Sequence, residues 1–159
     1  MAMSDEAFKL IEAELQKLID QVQGKVIFLV DKNGQMIASA GQTKGIDTTA
    51  LASLTAGNIA ATAGMAQLLG EKEFSILFHE GEKDNIHIAL VGTRIILVTI
   101  FDNRSALGIV RLRVKKAVDT LGPIFEDILK KSERDKVSKQ NSKSPFAEIT
   151  EDDIEKLFG

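Results

Sequence analysis

The sequence predicts an α/β protein of the α+β type, in which a five-stranded antiparallel sheet lies between helices. Three observations support this prediction. Two segments with apolar residues at helical spacing flank a short hairpin, three further apolar segments are separated by short turns, and a last helical pattern follows. Because short turns join antiparallel neighbours, we expect one antiparallel sheet. The predicted order of elements is α-β-β-α-β-β-β-α.

The first helix is predicted between about Ser4 and Gln23. Its apolar residues recur at steps of three and four, so that they share one stripe: Phe8, Ile11, Leu15, Leu18 and Val22. Ser4 is suited to cap the start of this helix, and Gly24 is expected to end it in the left-handed conformation.

The five strands are short apolar segments bounded by turns. The first two form a hairpin, in which strand 25–30 is joined to strand 35–40 by a turn that contains Asn33 and Gly34, a pair that tolerates positive φ. The other three strands are predicted at 74–80, 85–91 and 94–101. The first and last of the five are apolar on both faces, which is typical of buried strands.

The second helix is predicted over Thr48 to Leu69 and has two distinct sides. At 100° per residue, one side gathers Leu51, Leu54, Asn58, Ala61, Met65 and Leu68. The other side is almost free of bulk, and its candidate interface residues are Ser53, Ala56, Gly57, Ala60, Ala63, Gly64 and Gln67. Either this small-residue side is covered by other elements, or it faces outward and meets a second copy of the chain in a flat platform for protein recognition.

The third helix is predicted over 105–131, with a kink or restart at Gly122-Pro123. Composition changes after Ser132, so we expect a domain at 1–132, a flexible linker at 133–147 and a short amphipathic helix at 148–159. That last segment has the capping-box spacing between Thr150 and Asp153, but it is too short to stay helical alone. We therefore expect it to fold on a partner.

Composition excludes several classes of function. The 159 residues contain no cysteine, and the net charge of −3 does not favour binding to nucleic acid or to an anionic membrane. No apolar run reaches the roughly 20 residues of a membrane span, and no signal-peptide pattern begins the chain, so membrane insertion is not expected and the cytoplasm is the expected location. No phosphate-loop motif, metal-ligand pattern or cofactor motif is present.

Few side chains suggest chemistry. His79 and His87 lie on neighbouring predicted strands, where a metal or acid–base role is conceivable for a small-molecule sensor or weak hydrolase, although sheet-surface histidines are the simpler interpretation. Arg104, in the loop before the third helix, is placed to reach a partner's phosphates or to pair with a nearby carboxylate. We favour the ion pair, and predict no catalytic residue.

The order of elements resembles the roadblock/dynein light-chain family, and several segments resemble its bacterial MglB proteins. These are Lys25-Val-Ile-Phe-Leu-Val-Asp-Lys-Asn-Gly34, Ser39-Ala-Gly-Gln-Thr43, Ile46-Asp-Thr-Thr49, Leu51-Ala-Ser-Leu-Thr-Ala-Gly-Asn58, Ile100-Phe-Asp-Asn-Arg104 and Ser144-Pro-Phe-Ala-Glu-Ile149. The resemblance covers nearly the whole chain and is least in the first helix and in 133–143.

This resemblance implies a homodimer that binds a small Ras-like GTPase of the MglA type in its GTP state and acts in cell polarity and motility. By the same resemblance, we expect two subunits to bind each GTPase, and the dimer to accelerate GTP hydrolysis without an arginine finger, by holding the GTPase in its active state. The small-residue side of the second helix belongs to the binding platform. The resemblance also implies that the C-terminal helix contacts the GTPase away from the nucleotide and is involved in exchange, with Phe146, Ile149, Ile154, Leu157 and Phe158 as the expected contacts. A scaffold of the same fold that leaves hydrolysis unchanged is the alternative.

Overall fold

The computed structural model describes the backbone of residues 3–143 and the side chains up to Arg134. It contains one five-stranded sheet between helices, which confirms the predicted fold class and order of elements. The elements are α1 (Asp5–Val22), β1 (Val26–Asp31), β2 (Met36–Gly41), α2 (Thr48–Leu69), β3 (Ile76–Glu80), β4 (Asn85–Val91), β5 (Ile95–Phe101) and α3 (Leu107–Lys143).

The sheet has the strand order β2-β1-β5-β4-β3, and every neighbouring pair is antiparallel. The two strands with the most continuous apolar sequence, β1 and β5, lie at or next to the centre, where both of their faces are covered. The strands β2 and β3, each of which has exposed residues, form the two edges. This arrangement follows from burial, since a strand that is apolar on both faces needs a neighbour layer on each side.

The two faces of the sheet carry different layers. One face packs against α1 and α3, which lie side by side with residues such as Leu15 and Val114 at their contact with the sheet. On the other face α2 packs against the sheet through Ala52 and Ile59. Within residues 3–143, α2 is the single helix on its face, and this leaves the outer side of α2 open.

Local signals at the helix ends largely match the sequence. The Ser4 side chain accepts a hydrogen bond from the Ala7 N–H at 3.1 Å and so caps α1. The left-handed residue at the end of α1 is Gln23, with φ of 53°, and not the expected Gly24. The Gln23 N–H already bonds the carbonyl of Ile19, so the helix ends one residue early and a non-glycine residue bears the strained φ.

The helix α3 is longer than the sequence predicts. It is one helix through Pro123, so no restart is observed at Gly122-Pro123. Pro123 is exposed, so water can bond the carbonyl that it leaves unpaired. The backbone stays helical to Lys143, through much of the predicted linker, because a helix anchored by packing gains one hydrogen bond for each residue added. The division into domain, linker and terminal helix remains a prediction.

None of the helices in the described part of the chain combines the length and the apolar character needed to cross a membrane.

Candidate protein-binding site

The surface of α2 is divided into three stripes rather than two. The stripe that faces the sheet consists of small or compact residues at helical spacing: Ala52, Thr55, Ala56, Ile59, Thr62 and Ala66. Two outer stripes lie on either side of it, each about 120° around the helix from the sheet-facing one. We call them the small stripe, Ser53, Gly57, Ala60, Gly64 and Gln67, and the bulky stripe, Leu54, Ala61, Met65 and Leu68.

The small stripe is open to solvent, as the sequence predicts for an outward-facing platform. All five of its residues are exposed, and so is Ala63. A Cβ added to Gly57 or Gly64 would have no atom within 4 Å outside the backbone of the helix. The α2 backbone is therefore accessible to a close-packing partner at two places seven residues, or two turns, apart.

The prediction that Ala56 belongs to the exposed platform is wrong. Ala56 is buried and lies against the β1–β2 turn, where a Cβ on Gly34 would be 3.8 Å from the Cβ of Ala56. The reason is the close approach of α2 to the sheet. The strand residues beneath it are large, among them Phe28 and Ile96, so the helix face above them has to be small.

The bulky stripe is also exposed, and this was not expected from the two-sided division of the helix. Leu54 is 71% exposed, Met65 55% and Leu68 88%. Neighbouring Leu69 is 71% exposed. Apolar side chains of this size, grouped on one helix, mark a surface that another protein covers.

Charge is absent from the whole of α2. Its 22 residues include no Asp, Glu, Lys or Arg. A solvated helix normally carries charges on its outer face, whereas the centres of protein interfaces are depleted in them. The composition of α2 therefore favours an interface over a solvated surface.

The edge strand β3 borders the bulky stripe. The Asn58 side-chain amide lies 3.4 Å from Nε2 of His79 in β3, which places that side of α2 next to the edge. Ile76, at the start of β3, is 55% exposed. An edge strand presents unpaired backbone N–H and C=O groups, which a second strand can pair. The exposed side of α2 and this edge together offer apolar contact and backbone hydrogen bonding.

The two histidines do not form a common site. His79 pairs with Ile86 and His87 with Phe78 in the β3–β4 register, so their side chains point to opposite faces of the sheet. His79 is exposed on the α2 side, and His87 is 1% exposed beneath α3. The interpretation as two sheet-surface histidines is therefore wrong for His87. Among the described residues, no group of three His, Cys, Asp or Glu side chains is placed to hold a metal ion.

Arg104 forms the expected pair with a carboxylate. Its Nε donates to both carboxylate oxygens of Asp102, at 3.0 and 3.1 Å, and its backbone N–H donates to Oδ1 at 3.0 Å. The hydrogen bond from the Arg104 side chain holds the pKa of Asp102 below its ordinary value and raises the pKa of Arg104 itself. The guanidinium is thus engaged within its own loop.

The predicted tail contacts at Phe146, Ile149, Ile154, Leu157 and Phe158 lie outside the described residues.

Comparison with known proteins agrees with this architecture. The model of the Roadblock/LC7 domain matches residues 11–101, which is more than half of the chain. The chain belongs to the Roadblock/LC7 family. The family match ends with β5, so α3 lies beyond it. The resemblance stated from the sequence is confirmed.

Solved structures of Roadblock/LC7 proteins give a more specific likeness. The structure of Myxococcus xanthus MglB is 59% identical, with a TM-score of 0.74, and the match covers 76% of this chain and 98% of that one. The gliding protein MglB from Thermus thermophilus is 29% identical, with a TM-score of 0.76, over 80% of this chain and 96% of that one. A structure of MglB in a tetrameric arrangement is 28% identical, with the same TM-score and coverage. Curated protein sequences give no match.

Proposed function

We propose that this chain is a homodimeric, cytoplasmic regulator of a small Ras-like GTPase of the MglA type, and that it stimulates hydrolysis of the GTP bound to that partner. The observation that carries the proposal is the uncharged, exposed outer side of α2 in a chain whose relatives include MglB proteins. One relative is named a gliding protein, which supports a role in cell polarity and motility.

Self-association would use the bulky stripe and the β3 edge. Exposure of the apolar side chains of Leu54, Met65 and Leu68 to water is unfavourable, and a second copy of the chain can cover them. In a twofold-symmetric dimer each residue contributes twice, once from each subunit. Pairing of two β3 strands would at the same time join the two sheets. The tetrameric arrangement of a relative supports self-association in this family.

The GTPase would then bind the small stripe. If two copies of α2 lie side by side with their bulky stripes in contact, both small stripes stay uncovered, and together they offer a shallow surface of Ser, Gly, Ala and Gln side chains. Such a surface lets the backbone of a partner approach closely. It selects partners by their shape, because a single additional methyl group at the contact would cause a steric clash. The predicted arrangement of two subunits for each GTPase requires a platform shared by the dimer in this way.

Activation would come from selection of a conformer rather than from a catalytic group. Arg104 is held by Asp102 within its own loop, so it is a poor candidate for an arginine finger. A regulator with no finger accelerates hydrolysis if it binds the hydrolysis-competent state of the GTPase more tightly than the ground state. The chemistry then belongs to the residues of the GTPase.

The C-terminal segment would add a second contact. We propose that Phe146, Ile149, Ile154, Leu157 and Phe158 bind the GTPase away from its nucleotide and promote exchange, as the family resemblance implies. Because the contact lies in a separate part of the chain, its loss should weaken coupling to the partner and leave the core intact.

The proposal is tested by measuring phosphate release from a purified MglA-type GTPase as this chain is titrated. Stimulation that saturates with concentration is expected, and Ala60→Glu should abolish it by placing a charge in the small stripe. The matched control is Ala13→Glu, at an exposed alanine of α1 on the other side of the sheet. Binding to the GTP state without faster hydrolysis would favour the scaffold function. No binding in either nucleotide state would reject both.

A further inference from the structure

A buried histidine lies between β3 and β5 beneath α3. His87 of β4 is paired in register with Phe78 on one side and with Thr99 on the other. Strand alternation places all three side chains on the face that packs against α1 and α3. His87 is 1% exposed and Thr99 is fully buried. The imidazole is thus removed from water on the face of the sheet that α3 covers.

The polar atoms of this pair have no hydrogen-bond partner among the described residues. This holds for both ring nitrogens of His87 and for the Thr99 hydroxyl. A neutral imidazole tolerates such a site at moderate cost, but an imidazolium ion there would lack both water and an acceptor. The site therefore opposes protonation.

The charged groups around the ring add to this opposition. The guanidinium carbon of Arg111, in α3, lies 6.0 Å from the centre of the Phe78 ring. Phe78 is the residue that is paired with His87 in the β3–β4 register. From β3, the one titratable residue on this face is Glu80, which is exposed and pairs with Asn85. The β5 strand contributes no charged side chain. Burial first, and then the charge of Arg111, lowers the pKa of His87.

The linkage to stability has a definite sign. Because the pKa of His87 is lower in the folded chain than its ordinary value near 6.5, an opened form binds a proton more readily than the closed form. The stability that neutral His87 contributes is complete above about pH 6.5, and it is lost as the pH falls below that value towards the folded pKa.

We propose that His87 makes the packing of β3 and of the first turns of α3 on the sheet sensitive to pH, so that these two elements open together under mildly acidic conditions. The strand β3 opens with least loss, whereas opening of the first turns of α3 also uncovers the buried side chains of Val110 and Val114. The five-residue edge strand β3 pairs with β4 alone, and its residues are half-buried or exposed. Lifting β3 and the turn that carries Arg111 gives the imidazolium water and removes the nearby positive charge. This device goes beyond the proposed function, because it is a property of the isolated chain.

Amide hydrogen exchange of the full-length chain between pH 5.5 and 7.5, corrected for intrinsic exchange, tests the proposal. We expect protection of 76–80 and 107–114 to fall by up to about tenfold per pH unit below pH 6.5, while β1 and β5 stay protected. His87→Leu, which cannot titrate, should remove this dependence. His79→Gln is the matched control, since the chain contains only these two histidines. Two protein concentrations separate opening from any dissociation of a dimer.

Two results would overturn the proposal. One is equal loss of protection in β1 and β5, which would indicate global unfolding. The other is an unchanged pH dependence in His87→Leu. If that variant does not fold, Arg111→Gln replaces it, because Arg111 is exposed and its loss leaves the core in place. With the repulsion gone, burial alone lowers the pKa of His87 in the folded chain, so the total loss of protection on acidification should be smaller than in the unmodified chain. A loss unchanged by Arg111→Gln would equally reject the mechanism.

Discussion

Replacement of Leu68 by alanine tests the bulky stripe as a self-association surface. Leu68 is 88% exposed, so its side chain contributes little to the fold of the single chain. The substitution removes about three apolar carbons, each worth about 0.8 kcal/mol when fully buried. Scaled by the exposed fraction, this is about 2 kcal/mol for each copy of Leu68 that a partner covers.

A twofold-symmetric interface contains Leu68 twice, so the dimer should lose about 4 kcal/mol. At 1.4 kcal/mol for each factor of ten, the dissociation constant should rise roughly a thousandfold. Thermal unfolding of the chain, followed at a concentration where the unmodified chain is monomeric, should be unchanged, because alanine is at least as good a helix former as leucine.

Sedimentation equilibrium over a wide concentration range measures the dissociation constant directly. The matched control is Leu112→Ala, since Leu112 is 48% exposed but lies on α3, across the sheet from α2. A dissociation constant that does not respond to Leu68→Ala would refute the reasoning. A rise in the dissociation constant for Leu112→Ala alone would place the interface on the α1 and α3 side instead.

Three further predictions concern the partner. Gly64→Leu adds a side chain at a position where a Cβ has nothing within 4 Å, so the chain should fold normally. Because one intruding side chain costs of order 1–3 kcal/mol, the variant should bind the GTPase at least about tenfold more weakly in a titration. Unchanged binding would show that the small stripe is not part of the binding site. Arg104→Ala should retain stimulated phosphate release, whereas loss of an arginine finger costs roughly 10³–10⁵-fold. Deletion of 144–159 should leave self-association intact and slow nucleotide exchange on the GTPase, and a dissociated or unfolded product would contradict the assignment of that segment.

Much of the fold could be predicted because the signals are local. The turn at Asn33-Gly34 is an example, since its geometry depends on adjacent residues: the Asp31 carboxylate accepts from the N–H groups of Asn33 and Gln35, and Gly34 has φ of 91°. The cap at Ser4 is similar. The apolar sequences of β1 and β5 likewise indicate that these two strands are covered on both faces.

The orientation of α2 could not be predicted from its own sequence. A helix usually buries its large residues, and by that rule Leu54 and Leu68 would face the sheet. The sheet beneath α2 is already filled by large side chains such as Phe28, so the smaller stripe through Ala52 packs there and the leucines stay outside. Which stripe is buried depends on residues distant in sequence, and this is information that helical periodicity lacks.

The burial of His87 was missed for a related reason. Alternation along β4 puts it on one definite face, but the sequence does not say which face α3 covers or whether a small edge strand shields it. A usable signal was present: in the run from His87 to Val91 every residue but the histidine is apolar. A polar residue at the start of a run that is buried on both faces is a candidate for burial.

The lack of charge on α2 has a consequence for how complexes at this surface respond to their surroundings. Ionic strength changes binding by screening the charges that a complex brings together. Because none of the 22 residues of α2 is charged, binding at this helix should depend little on ionic strength. Association of a partner with this surface would be neither accelerated by long-range electrostatic attraction nor slowed by salt. The fraction of the surface that is bound would then depend on the concentration of the partner and on its conformation. A switch whose shape depends on its nucleotide is well matched to such a surface.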